Sequence, residues 1–219
     1  MEISFWESKW HKGQIGFHME NGYEPLKKYW QKLDIVKNPN VLVPLCGKSL
    51  DIVWLAGQGA QVYGVEVIGQ AVSDFFRDQQ ITPAKNEKQG LKFYKAGPIE
   101  IWNCDFFKLE PDLLPSIDIV YDKGGLVALP HDSQKAYVEK LRTFTHPKSK
   151  ILLHHFEYPQ QEMDGPPFSI PIDRIRELFG GIYTIRTLLQ ETSKTKYEKF
   201  RERGLKSPIL ERFLYLEPK

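Results

Sequence analysis

The chain has only two cysteines, Cys46 and Cys104, among 219 residues. Two thiols without zinc-ligand spacing exclude a disulfide framework and a cysteine-built metal site, so both are expected to be reduced and buried. One-sided charge is also missing: 30 basic against 28 acidic side chains leave a formal charge of +2. With no basic stripe or polybasic arm, a nucleic-acid partner is not expected. No apolar run approaches the roughly 18 residues of a membrane span, and the first residues carry no apolar signal region. These absences predict a soluble, cytoplasmic protein with no membrane partner. What is present is an ordinary globular composition, 41% hydrophobic and 26% charged, in a length that fits a single domain over residues 1–219.

Strand and helix signals alternate along the chain. Val41, Leu42 and Val43 form an apolar run that stops at Pro44-Leu45-Cys46-Gly47, which reads as a buried strand ending in a tight turn. Ser49 can cap a helix bearing Leu50, Val53 and Trp54, and a second strand follows from Gln61 to Glu66. A helix around Gln70 to Gln80 carries Ala71, Val72, Phe75 and Phe76 on one side, and residues 85–98 read as an inserted hairpin or loop. Further strands are expected at Ile99–Cys104, Ile117–Asp122 and Lys150–Phe156, with helices at Ser133–Thr143 and Asp173–Phe179. Two β-rich runs, Ile182–Leu189 and Ile209–Leu216, suggest an antiparallel pair at one sheet edge. This order predicts an open parallel α/β sheet with helices on both faces.

In such a sheet the ligand lies beyond the carboxyl ends of the strands. That singles out Leu45 to Gly47, Glu66, Asp105 with Phe106, and Asp122 with Lys123. Glu66 closes the second strand nineteen residues after Gly47, where nucleotide-binding sheets grip ribose hydroxyls. Gly47-Lys48-Ser49 ends like a phosphate-binding loop, but Leu42 stands where that loop needs glycine, and the dinucleotide pattern is met by one glycine of three. A nucleoside ligand without phosphate, such as S-adenosylmethionine, fits better than a pyrophosphate. His154 and His155 are strand neighbours pointing to opposite faces, so with Glu157 they make no metal site, and none is expected. No serine sits in a G-x-S-x-G elbow and neither cysteine has a histidine beside it. Residues 5–30 are dense in aromatics, including Trp6, Trp10, Phe17 and Tyr23. The four-residue spacing of the two tryptophans reads, by itself, as helix packing on the core.

Six segments resemble the thiopurine S-methyltransferase family, bacterial members in particular: Phe5-Trp6-Glu7-Ser8-Lys9-Trp10, Gly16-Phe17-His18, Pro44-Leu45-Cys46-Gly47-Lys48-Ser49-Leu50-Asp51, Gly64-Val65-Glu66, Tyr121-Asp122-Lys123-Gly124 and Gly165-Pro166-Pro167-Phe168. The resemblance implies a Rossmann-like class I methyltransferase fold with a seven-stranded, mostly parallel sheet whose last strand is antiparallel. It implies S-adenosylmethionine as methyl donor, S-adenosylhomocysteine as product, and no metal. By resemblance Trp10, Leu45 and Glu66 contact the donor, Asp105 and Phe106 flank its adenine, and Phe17 lines the acceptor side. Lys123 stands where the family usually carries arginine; the charge is kept but the planar fork is lost. The aromatic segment, about residues 1–30, then reads as a cover over the donor, where indole faces attract a sulfonium cation.

The expected reaction is methyl transfer to the sulfur of a small aromatic thiol or thiopurine, with Lys123 favouring the anionic acceptor. Alternatives are other soft nucleophiles (aliphatic thiols, selenium or tellurium compounds, halide) or a protein that binds the adenosyl ligand without turnover. A monomer with a small-molecule partner is expected.

Overall fold

The computed structural model describes residues 2–219; Met1, with which the expected domain and cover segment begin, lies outside the described residues. Two amino-terminal helices, α1 (Ile3–His11) and α2 (Glu24–Trp30), precede the sheet. Its parallel centre is β1 (Asn40–Pro44), β2 (Gln61–Val65), β5 (Ile99–Asn103), β6 (Ile117–Lys123) and β7 (Thr145–Glu157). Between them run α3 (Asp51–Gly57), α4 (Gly69–Asp78) and α5 (His131–Thr143), with α6 (Ile172–Phe179) after β7. The chain ends with β8 (Tyr183–Ser193), the short α7 (Glu198–Glu202) and β9 (Ile209–Pro218).

The sheet has nine strands where seven were expected. The two additional ones are β3 (Ala84–Lys88) and β4 (Leu91–Ala96), a hairpin added to the β5 edge in the order β3-β4-β5-β2-β1-β6-β7-β9-β8. Gln89 and Gly90 both take left-handed backbone angles, φ 51° and 76°, the geometry that matches a two-residue turn to twisted antiparallel strands. Phe93 then stacks on Trp102 of β5 at 4.6 Å, so the inserted segment joins the sheet instead of hanging off it. The other seven strands follow the expected plan: β9 is antiparallel to both β7 and β8.

Strand alternation divides the core in two. Leu42, Val120, Ile151, Leu153 and Leu214 enter one cluster and Val41, Val43, Ile119, Leu152 and Phe213 the other, as successive side chains must. On α4, Ala71, Val72, Phe75 and Phe76 are the buried face, which presses that helix on the β2 side and leaves its amino end beside Glu66.

Candidate active site

The loop after β1 carries backbone angles that fix its shape. Leu45 and Gly47 have φ of 49° and 54°. The left-handed region is free for glycine but costs a leucine about 1 kcal/mol or more. The strain is held in place by the Cys46 N–H, which donates to the Val65 carbonyl at 3.0 Å, and by packing of Leu45 on one core cluster.

Glu66 leaves the end of β2 and is buried. One carboxylate oxygen accepts from Gly47 N–H and the other from Ile68 N–H, both at 2.8 Å. Burial raises its pKa while these backbone donors act to lower it. Each carboxylate oxygen has two lone pairs, so each retains one acceptor site after its backbone bond. Two adjacent hydroxyls of a ribose match that pair. Asn103 donates to the carbonyls of Glu66 and Val67, which sets the turn leading into α4. Between α1 and the start of α4 lies a cleft of about 540 Å3 lined by Ser4, Ser8, His11, Ile68 and Gly69 among others.

Trp10 is 3% exposed and packs with Ile68 and Ala71. Its ring lies 3.5 Å from where a Cβ on Gly47 would stand, so α1 is docked directly over the β1 loop and beside the Glu66 turn. Phe17 is 46% exposed and meets Trp6 and Trp10 edge-on at 5.7 and 6.0 Å. The segment is fastened at its far end: Tyr23 N–H donates to Asp51 Oδ1 at 2.7 Å, while the Tyr121 hydroxyl donates to Asp51 Oδ2.

Asp105 accepts from Phe107 N–H through Oδ1 and begins a single helical turn. Phe106 is buried against Tyr137 and Phe144, whereas the neighbouring Phe107 ring is exposed. Phe106 therefore anchors the turn from the core side. The thiol of Cys46 is pushed well up by burial and by the nearby Glu66, and that of Cys104 up to about 11 by burial and Asp105. Both cysteines are free and buried, and at neutral pH they are thiols, not nucleophiles.

Asp122 is buried, accepts from Gly125 and Leu126 N–H and from the Tyr137 hydroxyl, and is raised to about 6 by burial. Next to it, Lys123 ends β6 in register with His154 of β7. Its ammonium lies 6.0 Å over the Tyr23 ring. Burial lowers its pKa, opposed by Asp51 and Glu211, and Lys123 takes part in none of the ion pairs among the described residues. His18, which sequence reasoning quoted only as part of a motif, is half-buried near Lys48 and Lys123. Burial and those cations lower its pKa. The Gly165-Pro166-Pro167-Phe168 run is held by Arg203, which donates to the carbonyls of Pro166 and Asp164. No group of three or more potential metal ligands occurs, and no helix is long and apolar enough to cross a membrane, among the described residues.

The fold that carries these residues is shared with known proteins. A SAM-dependent methyltransferase from Anabaena variabilis superposes with a TM-score of 0.67 at 11% identity, over 100% of this chain and 96% of that one. The Burkholderia thailandensis 1,6-didemethyltoxoflavin-N1-methyltransferase, solved with S-adenosylhomocysteine, gives 0.62 at 14% identity over 99% and 86%. Those likenesses establish the fold. In sequence, the thiopurine S-methyltransferase of Vibrio parahaemolyticus is 41% identical over 202 residues, 92% of each chain. That of Pseudomonas fluorescens is 37% identical over 205 residues, 94% of this chain and 92% of the relative. The family model described as thiopurine S-methyltransferase matches residues 1–216. One continuous match runs from the amino-terminal aromatic segment through the Glu66 turn to the last strand, and the chain belongs to the thiopurine S-methyltransferase family.

Proposed function

We propose that this enzyme methylates the sulfur of a small aromatic thiol, thiopurines included, and that its donor and acceptor meet between Glu66 and Lys123. The observation that carries the reading is a buried carboxylate with two acceptor sites to spare at the end of β2 and, at the end of β6 in the same parallel sheet, a half-buried ammonium without an ion-pair partner among the described residues.

S-adenosylmethionine, when bound, supplies a methyl group activated by a sulfonium. Glu66 holds the ribose hydroxyls, Leu45 and Gly47 shape the floor, Asp105 and the turn anchored by Phe106 flank the adenine, and Trp10 closes over the top. Phe17 lines the acceptor side and Lys123 stabilises the acceptor as a thiolate. The thiolate sulfur forms a bond to the methyl carbon as the old carbon–sulfur bond breaks and its electron pair stays on the donor sulfur. Where the acceptor arrives as a thiol, its proton leaves to solvent. A cation and an anion become two neutral groups, so exclusion of water by the cover favours the reaction, and alignment is the protein's main task. A reducing compartment such as the cytoplasm suits the two free thiols.

The test is incubation with labelled S-adenosylmethionine and a panel of aromatic thiols, aliphatic thiols, selenite and halides. Transfer to aromatic thiols is expected. Transfer confined to the other acceptors, or donor binding without transfer, would overturn the reading.

A further inference from the structure

A second polar cluster lies behind Lys123, outside the residues assigned above. Glu211 of β9 is 1% exposed and gathers four donors: Tyr23 Oη and His154 Nε2 at 3.0 Å on one oxygen, Lys196 Nζ at 2.6 Å and Tyr197 Oη at 2.5 Å on the other. Burial works to raise its pKa, but the bonds from His154, Lys196 and Tyr197 hold it well below the usual carboxylate range. Burial lowers the pKa of His154, while the hydrogen bond to Glu211 and its charge act to raise it. Tyr23 spans the cluster. Its backbone is tied to Asp51, its hydroxyl to Glu211, its ring meets His154 and Phe213 edge-on at 5.1 and 5.2 Å, and Lys123 lies over the same ring.

We propose that Glu211, linked to Lys123 through the ring of Tyr23, is a positioning residue for methyl transfer: its buried negative charge holds Lys123 as an ammonium aimed at the acceptor. The inference rests on the reading that Lys123 acts on the acceptor. The groups facing Lys123 are Asp51 from α3, Glu211 from β9, His154 from β7, and Tyr23 and His18 from the cover segment. Asp51 and Glu211 are the anions among them. Asp51 stands at the backbone end of Tyr23 and Glu211 at the hydroxyl end, so the ammonium is flanked by two carboxylates without being captured by either. A direct ion pair would turn Lys123 away from substrate. Charge supplied at one remove keeps it cationic and leaves its three N–H donors for the acceptor.

The direct readout is competitive acetylation of Lys123 in the folded protein without ligands, across neutral and alkaline pH, followed by peptide mass spectrometry. Glu211→Gln removes the carboxylate and should shift the Lys123 titration midpoint down by about one unit; Lys196→Met removes the cation from the far side of Glu211 and should shift it up. Opposite displacements are the signature of charge, since a merely structural role would move both variants the same way. Lys196 is 43% exposed at its side chain, so its variant decides the matter if Glu211→Gln does not fold. The alkaline limb of kcat/KM, measured with an aromatic thiol ionised throughout, should follow the two shifts, and both effects should vanish in a Lys123→Met background. Unmoved midpoints in both variants, with Lys123→Met still impaired, would overturn this inference alone. A Lys123→Met enzyme with undiminished activity would overturn the underlying reading as well.

Discussion

Glu66 and Gly47, nineteen residues apart, are joined by a hydrogen bond of 2.8 Å, so the side chain that ends β2 also fixes the loop that ends β1. A ligand gripped by Glu66 therefore meets a loop whose backbone the same carboxylate has set.

Glu66 is expected to carry two separable duties. Each charge-assisted bond to a ribose hydroxyl is worth about 1.5 to 3 kcal/mol, so Glu66→Ala should weaken S-adenosylmethionine and S-adenosylhomocysteine alike by at least about tenfold. It should also lower thermal stability, because Gly47 and Ile68 N–H lose their acceptor. Calorimetry with both ligands, beside a melting curve, checks the pair of effects. Unchanged affinity for either ligand would remove Glu66 from the site.

The amino-terminal segment should open and close. Residues 11–22 contain Gly13, Gly16 and Gly22, and Trp10 lies over Gly47, where the proposed donor site would have to be entered. Hydrogen exchange in residues 5–20 should slow on addition of S-adenosylhomocysteine. Equal protection with and without ligand would mean that α1 is a fixed part of the core.

At position 123 the charge should matter more than the shape. Lysine supplies a point charge without the bidentate fork of arginine, so Lys123→Arg should change the rate by less than about tenfold, or 1.4 kcal/mol. Lys123→Met should cost more with weakly acidic acceptors than with thiols already ionised at the assay pH. Kinetics on thiols of graded acidity test the ordering. No loss with any acceptor would make the side chain a bystander.

Asp122 gives a pH dependence of stability with a definite sign. Its folded value of about 6 lies above the ordinary 3.8, so the folded protein binds the proton more tightly than the unfolded chain does. The associated stability is fully present below about pH 4 and is lost as pH rises through 6, a change of about 3 kcal/mol. Asp122→Asn, which still accepts from Gly125 and Leu126, should remove that dependence. Urea unfolding of both proteins at about pH 4 and about pH 7 should show the wild type losing about 3 kcal/mol relative to the variant at the higher pH. A difference independent of pH would mean that Asp122 titrates normally.

Sequence reasoning reached those residues of the proposed site that stand at strand ends. Leu45, Glu66, Asp105 and Lys123 are findable because a parallel sheet puts its ligand beyond those ends. Glu211 was not findable that way. Its partner Tyr23 is 188 residues away, and a glutamate in a β-rich terminal run looks like a solvated strand residue until β9 is inserted between β7 and β8. Phe106 shows a different limit: Phe106-Phe107 offers two rings, and only the turn begun by Asp105 decides that Phe106 faces the core and Phe107 the surface. The hairpin residues were legible as an insertion, but their pairing with β5 depends on Phe93 finding Trp102, a contact between strands that local pattern does not contain.

The fastening of Tyr23 to Asp51, with Gly22 packed close beside the same carboxylate, has a consequence for association. A Cβ on Gly22 would come within 2.7 Å of Asp51 Oδ1, so this end of the cover is a closely fitted anchorage, and α1 is tethered to the surface it covers by the short chain between His11 and Gly22. Its docking is an intramolecular event, governed by an effective concentration on the order of millimolar rather than by protein concentration. A small cluster, Trp10 with Ile68 and Ala71 and with Trp6, Ile15 and Val67 packed against them, is then enough to seat α1, although an interface of that size would not hold two separate molecules together.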